Sequence, residues 1–313
     1  MTEIKKICDY LTQNDDYLIL MHGSPDGDAV GSAYALCRAL RALGKKADCA
    51  CCDPIPSRYS FMLEGVENTN HAYRHILTTD VADPKLLGSL RKEYGDRIEL
   101  AIDHHASNVG YAPLSLVRAE AAAACEVIYY VICALGVEVD RKIAECLFTG
   151  ISTDTGCFKF SNTTADTHRV AAKLIECGID AGEINRIMFD TKSIARLELE
   201  RKVLEKIEYL DEGKIAIITL SLEMQQSVSP DELEGINALS RQIEGVIAGV
   251  TIREKEPNRY KASVRTYHPL DASAICKKLG GGGHIRAAGC ELKMPFNEAR
   301  EAIIAAVREE LYK

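Results

Sequence analysis

The chain has 313 residues, of which 47% are hydrophobic and 27% are charged. This length and apolar fraction supply a sizeable core, and the length favours about two domains. The formal net charge is −8 and tryptophan is absent. Proteins that hold long nucleic acids through many phosphates usually present a basic face. Any nucleic acid substrate of this chain is therefore expected to be short.

The cysteines and the N-terminus both favour a reducing, aqueous environment. The twelve cysteines are scattered through apolar stretches, and only Cys49, Cys51 and Cys52 form a cluster. Without a matching second pair, this cluster is better explained as a cysteine-bearing strand than as a zinc site. Residues 2–11 have the pattern of an amphipathic helix rather than a signal peptide, and no apolar run is long enough to span a bilayer. We expect a cytoplasmic protein that does not associate with membranes.

The first 190 residues alternate between strand-like and helix-like patterns. The predicted strands are Tyr17–Met21, Lys46–Cys52, His75–Thr79 and Ile98–Ile102. The predicted helices are Val30–Leu43, Asp83–Tyr94 and Glu120–Leu135. This alternation predicts an α/β domain with a mostly parallel sheet that is covered on both faces.

The remaining residues have a different texture. Thr191–Leu210 is charged, lacks glycine and proline, and has helical periodicity, which predicts a connecting helix. Beyond it, the predicted strands are Lys214–Ser221, Val246–Arg253 and Tyr260–Thr266, and the predicted helices are Pro230–Gln242, Asp271–Leu279 and Phe296–Tyr312. We therefore expect a first domain at residues 1–190, a helical linker at 191–212 and a smaller α+β domain at 213–313.

The stretch HGSPDGDAVGS, beginning at His22, joins the first predicted strand to the first long helix. It places His22, Asp26 and Asp28 on a turn rich in glycine and proline. Open α/β sheets bind their ligands at the carboxyl ends of strands. An imidazole and two carboxylates there suit a divalent metal such as Mn²⁺ or Mg²⁺. The alternative is an aspartate-rich turn that only caps the helix.

Three further acidic or imidazole sites follow apolar runs that we interpret as strands. Asp80 follows His75–Thr79, the triplet Asp103-His104-His105 follows Ile98–Ile102, and Asp154 lies within Leu147–Gly156. A single aspartate after a strand is often only a helix cap. Because the carboxyl ends of parallel strands meet at one edge, however, these side chains are expected to converge. Together they favour a metal centre.

The segment directly after Asp154 carries two aromatic residues. Phe158 and Phe160 alternate with polar residues, so that one face of the segment is available to stack on a base. Packing of both rings into the core is an equally good interpretation.

The second domain contains a run of four glycines, Gly280–Gly283, within the sequence GGGGHIRAAG. A backbone without side chains can approach a phosphate or a base closely and offer N–H donors. His284 and Arg286 follow the run, and Arg265 lies near the end of a predicted strand. These features favour a nucleotide pocket formed by Gly281, Gly282, Gly283, His284, Arg286 and Arg265. The alternative is a flexible turn.

These motifs together resemble those of the DHH-family phosphoesterases. HGSPDGDAVGS, the isolated Asp80, DHH at 103–105 and STDTG at 152–156 resemble the motifs of the catalytic DHH domain. The sequence GGGGHIRAAG, with the preceding Arg265, resembles the DHHA1 substrate domain. The resemblance covers essentially the whole chain. In size the chain is similar to the nanoRNases, which degrade short oligoribonucleotides and also act on 3′-phosphoadenosine 5′-phosphate (pAp).

The resemblance implies a centre of two metal ions, expected to be Mn²⁺ with Mg²⁺ or Co²⁺ as alternatives. It implies that the first ion is held by His22, Asp26 and Asp80, and the second by Asp28, Asp80, His104 and Asp154. His105 would hold or protonate the phosphate. Asp103 would orient an imidazole, although it is almost as well explained as a cap of the following turn. Water activated between the ions would attack a terminal phosphodiester or phosphomonoester.

Several functions share this chemistry. The resemblance favours hydrolysis of oligoribonucleotides of 2–5 nucleotides to mononucleotides, with pAp as a second substrate. One alternative is a diesterase for the linear dinucleotides pApA or pGpG. A pyrophosphatase and a RecJ-like exonuclease on long DNA are less favoured, because of the glycine run and the acidic charge respectively. A nucleotide-binding module without activity is the least favoured, since every expected ligand position is filled. The sequence leaves open whether the chain is a monomer or a homodimer.

Overall fold

The computed structural model describes residues 3–233 and 235–313, and the chain divides into two compact units, Met1–Thr191 and Lys192–Lys313. Thr2, at the start of the predicted N-terminal helix, lies outside the described residues. All twelve cysteines are free thiols. Within the described residues, no helix combines the length and the apolar character needed to cross a bilayer.

The first unit is built on a parallel sheet. Its strands are β1 Tyr17–Leu20, β2 Ala47–Ala50, β3 His75–Thr79, β4 Ile98–Asp103 and β5 Leu114–Val117. Its α-helices are α1 Glu3–Gln13, α2 Gly27–Ala42, α3 Ser60–Leu63, α4 Arg91–Tyr94, α5 Ala124–Ala134, α6 Arg141–Asp154, α7 Ala165–Glu176 and α8 Ala181–Asn185. The strand order is β2-β1-β3-β4-β5, and every pairing is parallel. The predicted parallel α/β fold is confirmed, whereas β5 had not been predicted.

The sheet is buried on both faces, as a parallel sheet requires. Successive side chains of a strand point to opposite faces. Accordingly, Tyr17 and Ile19 of β1 lie in the larger core with α1, α2, α5 and α6. Leu18 and Leu20 lie in a second core on the other face, with residues such as Leu87. A strand buried on both faces appears in the sequence as a continuous apolar run, which explains why β1 was predictable.

The predicted helix Asp83–Tyr94 is wrong as a single element. The chain instead forms a 3₁₀ segment at Pro84–Leu90 followed by the short helix α4. The break lies at Gly88, whose φ of +57° is left-handed. A Cβ at this position would also lie 2.5 Å from Sγ of Cys52. Gly88 therefore ends the helical path and allows the turn to pack closely against Cys52.

The second unit contains a six-stranded mixed sheet in the order β10-β11-β9-β8-β7-β6. The strands are β6 Glu208–Leu210, β7 Ile215–Leu220, β8 Ala248–Glu256, β9 Arg259–Thr266, β10 Gly282–His284 and β11 Ala287–Lys293. The helices are α9 Ile194–Glu205, α10 Leu222–Gln225, α11 Ala272–Lys277 and α12 Phe296–Leu311. Among the described residues of this unit, only β7 and β8 pair in parallel, which confirms the predicted α+β character.

Two predicted helices of this region differ from the structure. The segment Thr191–Leu210 is not one connecting helix, because it contains α9 and then the edge strand β6. Leu199 and Val203 of α9 are buried in a core of the second unit, so that this helix packs as part of the unit. The predicted helix Pro230–Gln242 consists of 3₁₀ segments, Pro230–Leu233 and Ile236–Arg241. Gly235 lies between them with a left-handed φ of +75°, and Glu234 is outside the described residues.

Candidate metal centre

The predicted site residues of the first unit lie at the carboxyl edge of its sheet. His22 follows β1, Asp80 directly follows β3, and Asp103 is the last residue of β4. Asp26 is the N-cap of α2 and accepts hydrogen bonds from the backbone N–H groups of Asp28 (3.1 Å) and Ala29 (3.0 Å). This cap fixes the turn that carries both carboxylates. Asp26 thus both caps the helix and is itself a candidate ligand.

One group of three candidate ligands consists of His22, Asp26 and Asp80. Nε2 of His22 lies 3.8 Å from Oδ1 of Asp26 and 3.6 Å from Oδ2 of Asp80. Nδ1 of His22 lies 2.9 Å from the carbonyl oxygen of Gly23, which orients the ring with Nε2 towards the carboxylates. Burial disfavours the charged imidazolium, but the two carboxylates outweigh it and raise the pKa of His22 to about 11.

A second group of three consists of Asp28, His104 and Asp154. Nε2 of His104 lies 3.8 Å from Oδ2 of Asp28 and 3.4 Å from Oδ2 of Asp154. The same nitrogen lies 3.5 Å from Oδ1 of Asp80, so that Asp80 stands between the two groups. The structure therefore brings together all six predicted metal ligands.

Asp154 reaches the site from a helix, which corrects the prediction that it follows a strand. It is the last residue of α6, and α6 crosses α2 at close range. A Cβ on Gly31 of α2 would lie 2.4 Å from the carbonyl oxygen of Cys146, and a Cβ on Gly150 of α6 would lie 2.8 Å from Oδ1 of Asp28. Only glycine permits α2 and α6 to lie this close, and their close packing places Asp154 beside Asp28.

The charges of the cluster fit a group of bound cations. Burial, followed by the charge of Asp28, raises the pKa of Asp80 well above its usual value. Burial and the charges of Asp28 and Asp80 raise the pKa of Asp154 to about 9. Oδ1 of Asp80 is buried without a hydrogen-bond donor among the described residues. Divalent cations would relieve this repulsion, and carboxylate and imidazole donors suit Mn²⁺ or Mg²⁺. The left-handed φ of Asp80, +59°, is a further sign of a strained functional position.

His105 and Asp103 form a pair beside the two groups. Nδ1 of His105 lies 2.8 Å from Oδ1 of the fully buried Asp103, and this hydrogen bond raises the pKa of His105. Nδ2 of Asn108 donates to the other oxygen of Asp103 at 2.7 Å. The side chain of His105 is 34% exposed against 13% for His104, so that its Nε2 can meet a substrate. Asn108 had not been predicted, and its position in the loop after the tandem histidines carries no sequence signal.

The loop after Asp154 separates the roles of its two phenylalanines. Gly156, Cys157 and Phe158 all have left-handed φ angles, between +57° and +61°. The ring of Phe158 stacks on His168 with centroids 5.3 Å apart, and it also packs on Phe148. Phe160 lies over Gly156 and is 46% exposed. Phe158 is therefore packed among aromatic rings, whereas Phe160 lies at the surface.

The predicted binding residues of the second unit share one region of its sheet. The strand register aligns His284 of β10, Ala287 of β11 and Arg265 of β9 in one row, so that their side chains point to the same face. Burial and the nearby Arg241 lower the pKa of Arg265. Arg286 instead donates from Nη1 to the carbonyl oxygen of Leu270 at 2.7 Å, which ties two loops together.

Some glycines of the run allow close packing of the backbone, whereas Gly282 borders a cavity. A Cβ on Gly281 would lie 2.2 Å from the carbonyl oxygen of Gly289, and a Cβ on Gly283, whose φ is +142°, would lie 2.7 Å from that of Ala287. These two glycines allow β10 to approach β11, a reason that had not been predicted. Gly282 faces open space and borders a cavity of about 750 Å³. The cavity is lined by Lys255, Glu256, Arg259, Lys261, Gly281, Gly282, Gly289, Cys290 and Glu291.

Known proteins resemble the chain along both units. The profile of the DHH family N-terminal domain matches residues 16–151, and that of the DHHA1 domain matches residues 212–313. The bifunctional oligoribonuclease and PAP phosphatase of Thermus thermophilus is 35% identical over 300 residues, covering 94% of this chain and 89% of that protein.

Solved structures share the fold. An exopolyphosphatase-related protein from Bacteroides fragilis superimposes with a TM-score of 0.89 at 23% identity, covering 98% of this chain and 96% of that one. RecJ from Thermus thermophilus in complex with Mn²⁺ superimposes with a TM-score of 0.58 at 17% identity, covering 98% of this chain and 54% of RecJ. With its two profile matches and a relative of 35% identity over most of its length, the chain belongs to the DHH family.

Proposed function

We propose that this protein is a two-metal phosphoesterase that uses Mn²⁺ to hydrolyse very short oligoribonucleotides to mononucleotides, and pAp to AMP. The observation that carries the proposal is the pair of ligand groups that meet at Asp80. Two ions held in this way match the centres that cleave phosphate esters by in-line displacement. The RecJ structure that shares this fold contains Mn²⁺, which supports the choice of ion.

The residues of the chain would divide the work of the reaction. His22, Asp26 and Asp80 would hold one ion, and Asp28, Asp80, His104 and Asp154 the other. When bound, the two ions would lower the pKa of water and balance the charge of the phosphate. His105, held by Asp103, would donate a hydrogen bond or a proton from Nε2 to a phosphate oxygen.

The second unit would supply substrate-binding groups. Arg265 and His284 lie on one face of its sheet, and Arg265 can pair with a phosphate. The glycine run borders the cavity on this face and offers backbone donors. The net charge of −8 supports a short substrate rather than a long nucleic acid. The relative of 35% identity is an oligoribonuclease and PAP phosphatase, which supports the same two substrates.

The test is a product time course with Mn²⁺, in which pApA, a five-nucleotide RNA, a long single strand and pAp are offered in parallel. We expect mononucleotides from the dinucleotide and the pentamer, phosphate from pAp, and an intact long strand. Cleavage of pApA alone would instead assign the protein to the linear dinucleotides of cyclic dinucleotide turnover. Rapid loss of the long strand would contradict the proposal.

A matched variant shows whether the proposed centre performs the reaction. Asp80→Asn keeps the shape of the side chain but removes the charge shared by both groups of ligands. We expect turnover of every substrate to be abolished while thermal unfolding in a chelator shows an intact fold. Unchanged turnover in this variant would refute the two-metal centre.

A further inference from the structure

The segment Ala121–Glu126, which begins in a run of alanines before α5, contacts the candidate centre through its backbone. The N–H groups of Ala124 and Cys125 donate to the two oxygens of Asp28, at 2.6 and 2.9 Å. The carbonyl oxygen of Ala121 lies 3.3 Å from Nδ1 of His104. One short piece of chain therefore orients two of the candidate ligands, and it fixes which nitrogen of His104 faces the site.

Two side chains hold this segment in place. Glu126 is 4% exposed and accepts hydrogen bonds from the N–H of Ala122 (3.3 Å) and from Oγ1 of Thr167 (2.9 Å). Asn162 donates from Nδ2 to the carbonyl oxygens of Ala122 (3.0 Å) and Asp154 (3.2 Å). The side-chain amide of Asn162 thus joins the segment to Asp154, which is the third candidate ligand beside Asp28 and His104.

The other group of ligands is oriented by different partners. Nδ1 of His22 contacts Gly23, Asp26 caps its own helix, and the N–H of Asp80 donates to the carbonyl oxygen of Ile102 at 3.0 Å. Across residues 3–233 and 235–313, no hydrogen bond joins the segment Ala121–Glu126 to these three residues. The scaffold of the centre is therefore asymmetric.

We propose that Glu126 and Asn162 are positioning residues for one metal ion, the one that Asp28, His104 and Asp154 would hold together with the shared Asp80, and not for the other. This inference rests on the proposed two-metal centre. Residues that orient metal ligands typically contribute about 10–100-fold to metal affinity. Removal of either side chain frees the segment, so that the carboxylate of Asp28 and the ring of His104 lose their fixed positions together. The affinity of one site then falls while the affinity of the other is retained.

The experiment is a titration of the metal-free full chain with Mn²⁺, in which electron paramagnetic resonance measures the free ion. The variants are Glu126→Ala, Glu126→Gln and Asn162→Ala. Glu120→Gln is the matched control, because Glu120 is an exposed carboxylate directly before the segment. Glu126→Gln keeps an oxygen that can accept both hydrogen bonds, so it should restore binding. Thermal unfolding in a chelator verifies that each variant is folded.

We expect the wild-type chain and the control to bind two ions. Glu126→Ala and Asn162→Ala should weaken one site by at least about tenfold and leave the other within about twofold. Equal weakening of both sites, or no weakening, would overturn the inference. A wild-type chain that binds fewer than two ions would refute the proposed centre itself, so that the two failures are distinguishable. Asn162→Ala decides the matter if Glu126→Ala does not fold.

Discussion

Replacing Asp154 by Asn should stabilise the metal-free protein and destabilise the metal-loaded one. Without a cation, burial and the charges of Asp28 and Asp80 raise the pKa of Asp154 from 3.8 to about 9. The folded chain must therefore take up a proton that the unfolded chain releases above pH 4. The free energy of unfolding of the metal-free wild type is therefore highest at low pH, and it falls progressively as the pH rises from about 4 to about 9. Asparagine is neutral throughout and avoids this penalty.

The size of the effect follows from the shift. Between the usual pKa of 3.8 and pH 7, the free energy of unfolding would fall by about 1.4 kcal/mol for each pH unit. The upper limit of the loss at pH 7 is therefore about 4 kcal/mol. Solvent screening reduces this value, because Asp154 keeps 29% of its side-chain surface exposed. We expect about 1–2 kcal/mol, or a rise in melting temperature of about 2–8 °C.

The assay is thermal unfolding of the wild type and Asp154→Asn, in chelator and in Mn²⁺, from pH 5 to pH 9. In chelator, the variant should melt higher, and its stability should fall less steeply with pH. In Mn²⁺ the order should reverse, since an ion at 100 times its dissociation constant stabilises the folded state by about 2.7 kcal/mol. A variant that melts lower than the wild type in chelator would refute the assignment of Asp154 to a strained acidic cluster.

Three further substitutions test separate parts of the proposal. His105→Ala should lower kcat by about 10²–10⁴-fold with little change in Mn²⁺ affinity; a large loss of Mn²⁺ in the titration would instead make His105 a ligand. Arg265→Gln should raise KM about 10–100-fold and leave kcat unchanged in steady-state kinetics, whereas a fall in kcat alone would contradict a binding role. Gly281→Ala should destabilise the second unit by about 1–3 kcal/mol in denaturant unfolding, because its Cβ would lie 2.2 Å from the carbonyl oxygen of Gly289; unchanged unfolding would refute the packing role.

The parallel sheet and the convergence of the six candidate ligands could be predicted because both depend on local patterns. Apolar runs ending in aspartate or histidine place side chains at one edge, whatever the details of the intervening helices. The prediction that Asp154 follows a strand was wrong for a definite reason. Helix α6 is buried continuously from Ile143 to Ser152. The sequence of such a helix is a nearly continuous apolar run, which periodicity cannot distinguish from a buried strand.

Features that depend on contacts distant in sequence could not be predicted. The hydrogen bond from Asn162 to Ala122 spans 40 residues, and that from Thr167 to Glu126 spans 41. Nothing in an alanine-rich stretch indicates that its backbone faces a centre of charged side chains. The glycine run had a second, hidden role of the same kind. The packing of Gly281 against Gly289 appears only when β10 and β11 are paired.

The crossing of α2 and α6 explains why the acidic cluster can be held without metal at all. Gly31 and Gly150 bring the two helix backbones into contact, and the buried residues around them belong to the larger core of the first unit. Apolar packing in this core therefore helps to hold Asp28 and Asp154 together, beside the hydrogen bonds that Asp28 accepts from Ala124 and Cys125. Repulsion among the carboxylates then acts as strain within a rigid frame, and bound cations would relieve it. A site built in this way would be organised before any ions bind, as the proposed two-metal reaction requires.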